Sequence, residues 1–161
     1  MAIGRLDVPR PRSPNRLTRS MSADHASDDQ IRELLELSSL WFVVGLGDTP
    51  DRPAYRVAKV LQSHGKTVVP IHPRAPMVHG QQGFTSIADA AKVHGTPDVV
   101  DVFVRFDRAG EFADQAITIG AKAVWFQLEV IDYDAAQRVT DAGMLMVMDR
   151  CPAIEYRRLN C

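Results

Sequence analysis

Five short runs of mostly apolar residues, the first four each followed by a segment with helical spacing, constrain this chain most strongly. The runs span residues 40–44, 67–71, 99–104, 123–126 and 145–148. Strands that are apolar throughout are buried on both faces, which is typical of a parallel sheet covered by helices on each side. Right-handed crossovers then predict a doubly wound parallel sheet of about five strands, in a three-layer α/β/α sandwich. A chain of 161 residues is too short for a (β/α)₈ barrel, which needs roughly 250 residues.

Composition and charge indicate an ordinary globular domain. The chain is 45% hydrophobic and 24% charged, and its 19 Lys and Arg nearly balance its 20 Asp and Glu. This balance gives no electrostatic reason for a nucleic-acid partner or an anionic membrane. No apolar run approaches the roughly 20 residues that span a bilayer. We therefore expect a cytoplasmic protein with neither nucleic acid nor membrane as a partner, and the sequence leaves its oligomeric state open.

The two ends of the chain differ from its centre. Residues 1–26 combine several arginines and prolines without an apolar block, which predicts a disordered tail or an over-long start with Met21 as the initiator. Residues 27–161 are expected to form a single domain. Cys151 and Cys161 are so close in sequence that a disulfide would close only a short loop, so we predict reduced thiols.

Capping signals predict where the helices begin. The expected starts are at Ser27, Ser86, Asp107 and Asp132, with a further helix from about Arg52 whose first turn holds Pro53. No regular element is predicted after residue 148. Ligands of doubly wound sheets bind beyond the carboxyl ends of the strands, so the residues that follow the five runs form the candidate site as a set.

The segment after the first run has the form of a nucleotide-binding turn. Gly45 and Gly47 would let the backbone approach a ligand, and a helix N-terminus presents N–H groups to phosphate. Plain turn chemistry is the alternative explanation for two glycines. The dinucleotide pattern G-x-G-x-x-G is broken because Pro50 stands in place of the third glycine. Arg52 could close over a pyrophosphate or simply face solvent.

The end of the second run argues against NAD. NAD sites usually place an acidic residue there to bind the ribose hydroxyls, whereas this chain has His72, Pro73 and Arg74. Basic groups at this point favour a ribose that carries an additional phosphate. The remaining candidates are Arg105, which must reach solvent or an anion, and Gln127, whose amide can recognise polar groups.

Neither metal nor catalytic chemistry can be assembled from the sequence. The five histidines show no metal-ligand spacing with Cys or carboxylates, and no recognised catalytic motif occurs. We therefore assign no metal site and no catalytic residue. Cys151 could meet a thiol ligand, although a semi-buried structural cysteine is the more ordinary explanation.

Four sequence blocks resemble those of the small bacterial CoA-binding domain proteins, in the same order and at similar spacing. They are VVGLGDTPDRPAYRVAKVLQSHGKTVVPIHP, VDVFVRF, GAKAVWFQL and MDRCPAIEY. This family resembles the CoA-binding domain of succinyl-CoA synthetase alpha subunits, but as free-standing single domains. The resemblance covers about residues 30–156. It implies a Rossmann-type fold that binds coenzyme A along the strand ends, with no established reaction of its own.

The resemblance and the residue chemistry together predict a set of CoA-binding residues. The set is Gly45, Leu46, Gly47, Arg52, Pro53, Tyr55, His72, Pro73, Arg74, Arg105, Gln127 and Cys151. Three positions depart from the family pattern, since Gly47 replaces a usual serine, His72 an asparagine and Glu129 a glycine.

These observations lead to the hypothesis of non-catalytic binding of CoA or an acyl-CoA. The adenine nucleotide would lie over Gly45 to Tyr55, with its phosphates near Arg52 and Arg74, and the pantetheine arm would point toward Gln127 and Cys151. The alternatives are an NAD(P)-binding enzyme or enzyme fragment, and a ligand-free interaction module on the same scaffold.

Overall fold

Strands and helices alternate along the chain in the computed structural model, which describes residues 26–161. The predicted tail lies outside the described residues, apart from Ala26. The strands are β1 (Leu40–Val44), β2 (Thr67–Ile71), β3 (Val99–Val102), β4 (Ala123–Phe126) and β5 (Leu145–Val147). The helices are α1 (Asp28–Leu37), α2 (Pro53–Ser63), α3 (Ile87–His94), α4 (Phe106–Ile119), α5 (Tyr133–Asp141) and α6 (Pro152–Arg158).

The five strands form one parallel sheet in the order β2-β1-β3-β4-β5. This confirms the predicted Rossmann-like fold. The chain passes from β1 to β2 on one side and then returns to place β3 on the other side of β1, so the strand order switches between β1 and β3. In the register of the sheet Val44 lies opposite Ile71 of β2 and Val102 of β3. The carboxyl ends of these three strands are therefore level.

Each face of the sheet is buried under three helices. Every second side chain along each strand, such as those of Phe42 and Val100, points to one face of the sheet and packs against α3, α4 and α5. Their neighbours, such as Trp41 and Trp125, pack against α1, α2 and α6. Both Trp41 and Trp125 have no exposed surface. This two-sided burial is the reason that the strands are apolar at nearly every position.

Three of the predicted helix caps are confirmed and one is wrong. Ser27 forms a capping box with Gln30, and the side chains of Ser86 and Asp132 accept hydrogen bonds from first-turn N–H groups at 3.1 and 3.0 Å. Asp107 does not cap α4, because β3 ends at Val102 and the helix already begins at Phe106. Asp107 instead lies in the first turn, where a carboxylate interacts favourably with the helix dipole.

The expectation of no regular element after residue 148 is wrong, because α6 occupies residues 152–158. Glu155, which is 3% exposed, pairs with Arg158 at 2.7 Å, and Arg158 reaches Asp28 of α1 at 2.6 Å. The buried Tyr156 donates its hydroxyl to a backbone carbonyl of α1 at 3.2 Å. A helix this short is marginal alone, so its partners, which are distant in sequence, determine it.

Two further findings concern cysteines and membranes. Cys151 and Cys161 are free thiols. Within residues 26–161 no helix combines the length and the hydrophobicity that crossing a bilayer would require.

Candidate functional site

A cavity of about 680 Å³ lies beyond the carboxyl ends of the strands, where the strand order switches. Its volume falls within the range of roughly 300–1,000 Å³ that is usual for small-molecule sites. The segments that follow all five strands contribute to its walls. Of the residues predicted to bind CoA, those that line it are Gly45, Gly47, Arg52, Pro53, His72, Pro73, Arg74, Gln127 and Cys151.

Three other predicted residues do not line this cavity. Leu46 is 1% exposed and packs in the core. Tyr55 packs against the ring of His79, with the two centroids 4.2 Å apart. Arg105 is exposed and pairs with Asp107 at 3.5 Å. Most of the residues predicted because they follow a strand therefore line the cavity. Their place in the sequence did not indicate which side chains point away from it.

Gly45 occupies a position that only glycine fits without strain. Its φ is 90°, in the left-handed region, and its N–H donates to the Ile71 carbonyl at 2.8 Å. A Cβ added at Gly45 would lie 3.3 Å from the Cβ of Phe103. The glycine therefore lets the chain turn sharply out of β1 between its two neighbouring strands.

Gly47 and His72 are adjacent across the cavity wall. A Cβ at Gly47 would lie 3.2 Å from both Cδ2 and Nε2 of the His72 ring, closer than ordinary packing allows. The Nδ1 atom of His72 accepts the backbone N–H of Arg74 at 3.1 Å. In the neutral ring the proton is therefore on Nε2, the atom beside Gly47. The two positions at which the resemblance implies serine and asparagine are therefore neighbours in space.

Positive charge and a helix N-terminus lie at the β2–β1 end of the cavity. Arg52 is the N-cap residue of α2 and makes no side-chain capping bond. Pro53 has no N–H and the N–H of Tyr55 donates to the Arg52 carbonyl at 3.1 Å, so within residues 26–161 the Ala54 N–H is the one left open in this turn. Arg52 and Arg74 are exposed, and no ion pair involves either one within residues 26–161. A helix N-terminus beside two guanidinium groups favours an anionic ligand.

The opposite end of the cavity contains a buried polar pair that the sequence reasoning missed. Gln127 follows β4, is 5% exposed and donates its Nε2 hydrogen to Oδ1 of Asp101. Asp101 lies within β3 with no exposed surface, and its Oδ2 has no hydrogen-bond partner among the described residues 26–161. Burial raises the pKa of Asp101 to about 8, against the opposing effect of the Gln127 hydrogen bond. The available signal was a lone carboxylate inside the run Val-Val-Asp-Val.

Glu129 places a carboxylate at the mouth of the cavity. Its φ is 68°, in the left-handed region, and its backbone N–H donates to Oδ1 of Asp149 at 2.7 Å. The left-handed region is the one that glycine enters freely, so this conformation would suit the glycine that the resemblance implies here. Here an L-residue occupies it at a cost of about 1–2 kcal/mol.

No group of three or more His, Cys, Asp or Glu side chains within residues 26–161 has an arrangement that could hold a metal ion.

A family model described as a CoA binding domain matches residues 39–157. The chain belongs to this CoA-binding domain family. The matched range contains every residue that lines the cavity.

Several relatives of this CoA-binding domain are of similar length. The protein YneT of Bacillus subtilis is 30% identical over 130 residues, covering 81% of this chain and 94% of YneT. A solved hypothetical protein from Pyrococcus horikoshii is 35% identical with a TM-score of 0.79, and the match covers 86% of this chain and 95% of the other. A solved protein from Thermus thermophilus is 26% identical with a TM-score of 0.76, covering 83% and 99% of the two chains.

The raised pKa of Asp101 predicts a specific dependence of stability on pH. Between about pH 4 and pH 8 the folded state holds a proton on Asp101 that the unfolded state has lost, so stability falls as the pH rises. The limiting slope is about 1.4 kcal/mol per pH unit. Asp101→Asn removes this titration. Urea unfolding across this range should show that the variant gains stability relative to wild type as the pH rises. If the free energies of unfolding of the two proteins changed in parallel with pH, the raised pKa of Asp101 would be contradicted.

The adjacency of Gly47 and His72 predicts coupling between substitutions there. Gly47→Ser alone should destabilise the domain by about 1–3 kcal/mol, because the new side chain presses on the His72 ring. His72→Asn removes the ring, so the double variant should recover most of that loss. A double-mutant cycle by chemical denaturation is expected to give a coupling free energy of about 0.5–3 kcal/mol. Additive effects would show that the ring moves aside without cost.

Proposed function

We propose that this CoA-binding domain binds coenzyme A or an acyl-CoA in the cavity and catalyses no reaction of its own. The observation that carries the proposal is the separation of charge within one cavity. Arg52, His72 and Arg74 line one end, whereas Gln127 and Cys151 line the other. A ligand with an anionic head and an uncharged arm matches this arrangement.

The dimensions of the sheet support a long ligand. His72 and Arg74 follow β2, and Gln127 follows β4, three strand positions away. Parallel strands lie about 4.8 Å apart, so the two ends of the cavity are separated by about 14 Å. CoA carries its phosphates on the nucleotide and has an amide-containing pantetheine arm. Arg52, His72 and Arg74 would hold the phosphates, with the glycine turn beside the nucleotide.

The chemistry at the end of β2 argues against NAD as the ligand. An acidic side chain would be needed there for the ribose hydroxyls, and His72 and Arg74 occupy the place. A phosphorylated ribose is compatible with these two residues, so NADP is a more serious competitor than NAD. The carboxylate of Glu129 at the mouth would repel an anionic ligand, so it is the feature that most favours the alternative of a ligand-free interaction module.

One panel of ligands separates these functions. Thermal shift and calorimetry are run with CoA, acetyl-CoA, NAD and NADP at equal concentrations. A ligand at a hundred times its dissociation constant stabilises the folded state by about 2.7 kcal/mol. We expect stabilisation by CoA or acetyl-CoA and none by NAD. Stabilisation by NADP or NAD alone would favour the enzyme alternative, and no response to any ligand would favour the interaction module.

Arg52 offers a sharper test of the anionic end. Arg52→Ala should weaken CoA binding by about 1.5–3 kcal/mol, because a charge-assisted hydrogen bond to phosphate is lost. Arg56→Ala is the matched control, since Arg56 is exposed on the same helix, carries the same charge and does not line the cavity. Equal affinities of the two variants would mean that Arg52 only faces solvent.

A further inference from the structure

The amide of Gln127 is held in one orientation by a buried partner. Its Nε2 hydrogen is engaged by Oδ1 of Asp101, and Gln127 itself lines the cavity. No other hydrogen bond to this side-chain amide occurs within residues 26–161, so Oε1 and the second Nε2 hydrogen are its remaining polar groups. With Oδ1 of Asp101 as the acceptor, reversing the amide would replace the N–H donor by a carbonyl oxygen and break the buried bond. The cavity is therefore offered an acceptor at this point.

Asp101 is a costly residue to retain in the sheet. It lies opposite Val43 of β1 and Trp125 of β4, both of which have no exposed surface. One carboxyl oxygen accepts the Gln127 bond, and the other has no partner in the part of the chain that the structure describes. An apolar side chain would pack among these neighbours without that desolvation cost. Stability alone therefore does not account for a carboxyl group here. Its one hydrogen bond is to Gln127, which lines the cavity.

We propose that Asp101 is a positioning residue that fixes the Gln127 amide at the uncharged end of the cavity, with its carbonyl oxygen presented to an N–H donor on the ligand's arm. This inference rests on the proposed function, because the amides of the pantetheine arm supply such donors. The carbonyl oxygen of a protonated carboxyl accepts the same Nε2 hydrogen as a carboxylate does. Protonation of Asp101 is therefore compatible with this bond.

The test compares a ligand that has the arm with one that lacks it. Calorimetry measures the affinity of wild type, Asp101→Leu and Asp101→Asn for CoA and for adenosine 3′,5′-bisphosphate. Asp101→Leu should weaken CoA binding by about tenfold, the loss expected for one hydrogen bond, and change bisphosphate binding by less than about twofold. Asp101→Asn retains a carbonyl acceptor and should restore most of the CoA affinity.

A second variant keeps the test decisive if Asp101→Leu fails to fold. Gln127→Leu should lose the same CoA affinity, and the two leucine changes together should cost no more than either one, because they disable a single unit. Unchanged CoA affinity in Gln127→Leu, or equal losses for CoA and the bisphosphate, would overturn the positioning role alone. Absence of CoA binding by the wild-type protein would overturn the proposed function as well.

Discussion

Strand β1 pairs in parallel with β2 on one edge and β3 on the other, and the candidate site depends on this double pairing. Because all three strands point the same way and end level, the segments that follow them emerge side by side. The chain cannot continue across the sheet there, so the two connections separate and leave a cavity between them. Gly45 makes that separation possible, since its left-handed turn brings the chain out of β1 against Phe103.

The cavity joins two regions whose chemistry differs. Near β2 and β1, Arg52 and Arg74 lie beside an uncapped helix N-terminus, in an environment that is open to solvent. Near β4 the polar groups are instead drawn from the core, where Asp101 supports Gln127 from beneath. The charges of the first region are exposed, so solvent and salt screen them. The hydrogen bond of the second region is buried.

Substitutions relative to the family pattern acquire a different meaning once their positions in space are known. Gly47 and His72 look like two independent losses in the sequence, yet the ring of His72 takes the space that a Gly47 side chain would need. The bond from Arg74 fixes the histidine tautomer, which leaves an N–H donor beside the glycine. Glu129 is of another kind, because it keeps a backbone conformation suited to glycine while adding a charge.

Local patterns in the sequence determined the five strands, most helix starts and the residues that follow each strand, because hydrophobic periodicity and capping act within a few positions. They therefore predicted most of the cavity wall. Only the tertiary structure decided that α6 forms, that Asp101 supports Gln127 and that His72 lies against Gly47. The last two pairings join residues about 25 positions apart that lie on, or just beyond, neighbouring strands. Such contacts arise from tertiary packing between strands. Local sequence propensities, which act over a few neighbouring residues, do not determine them.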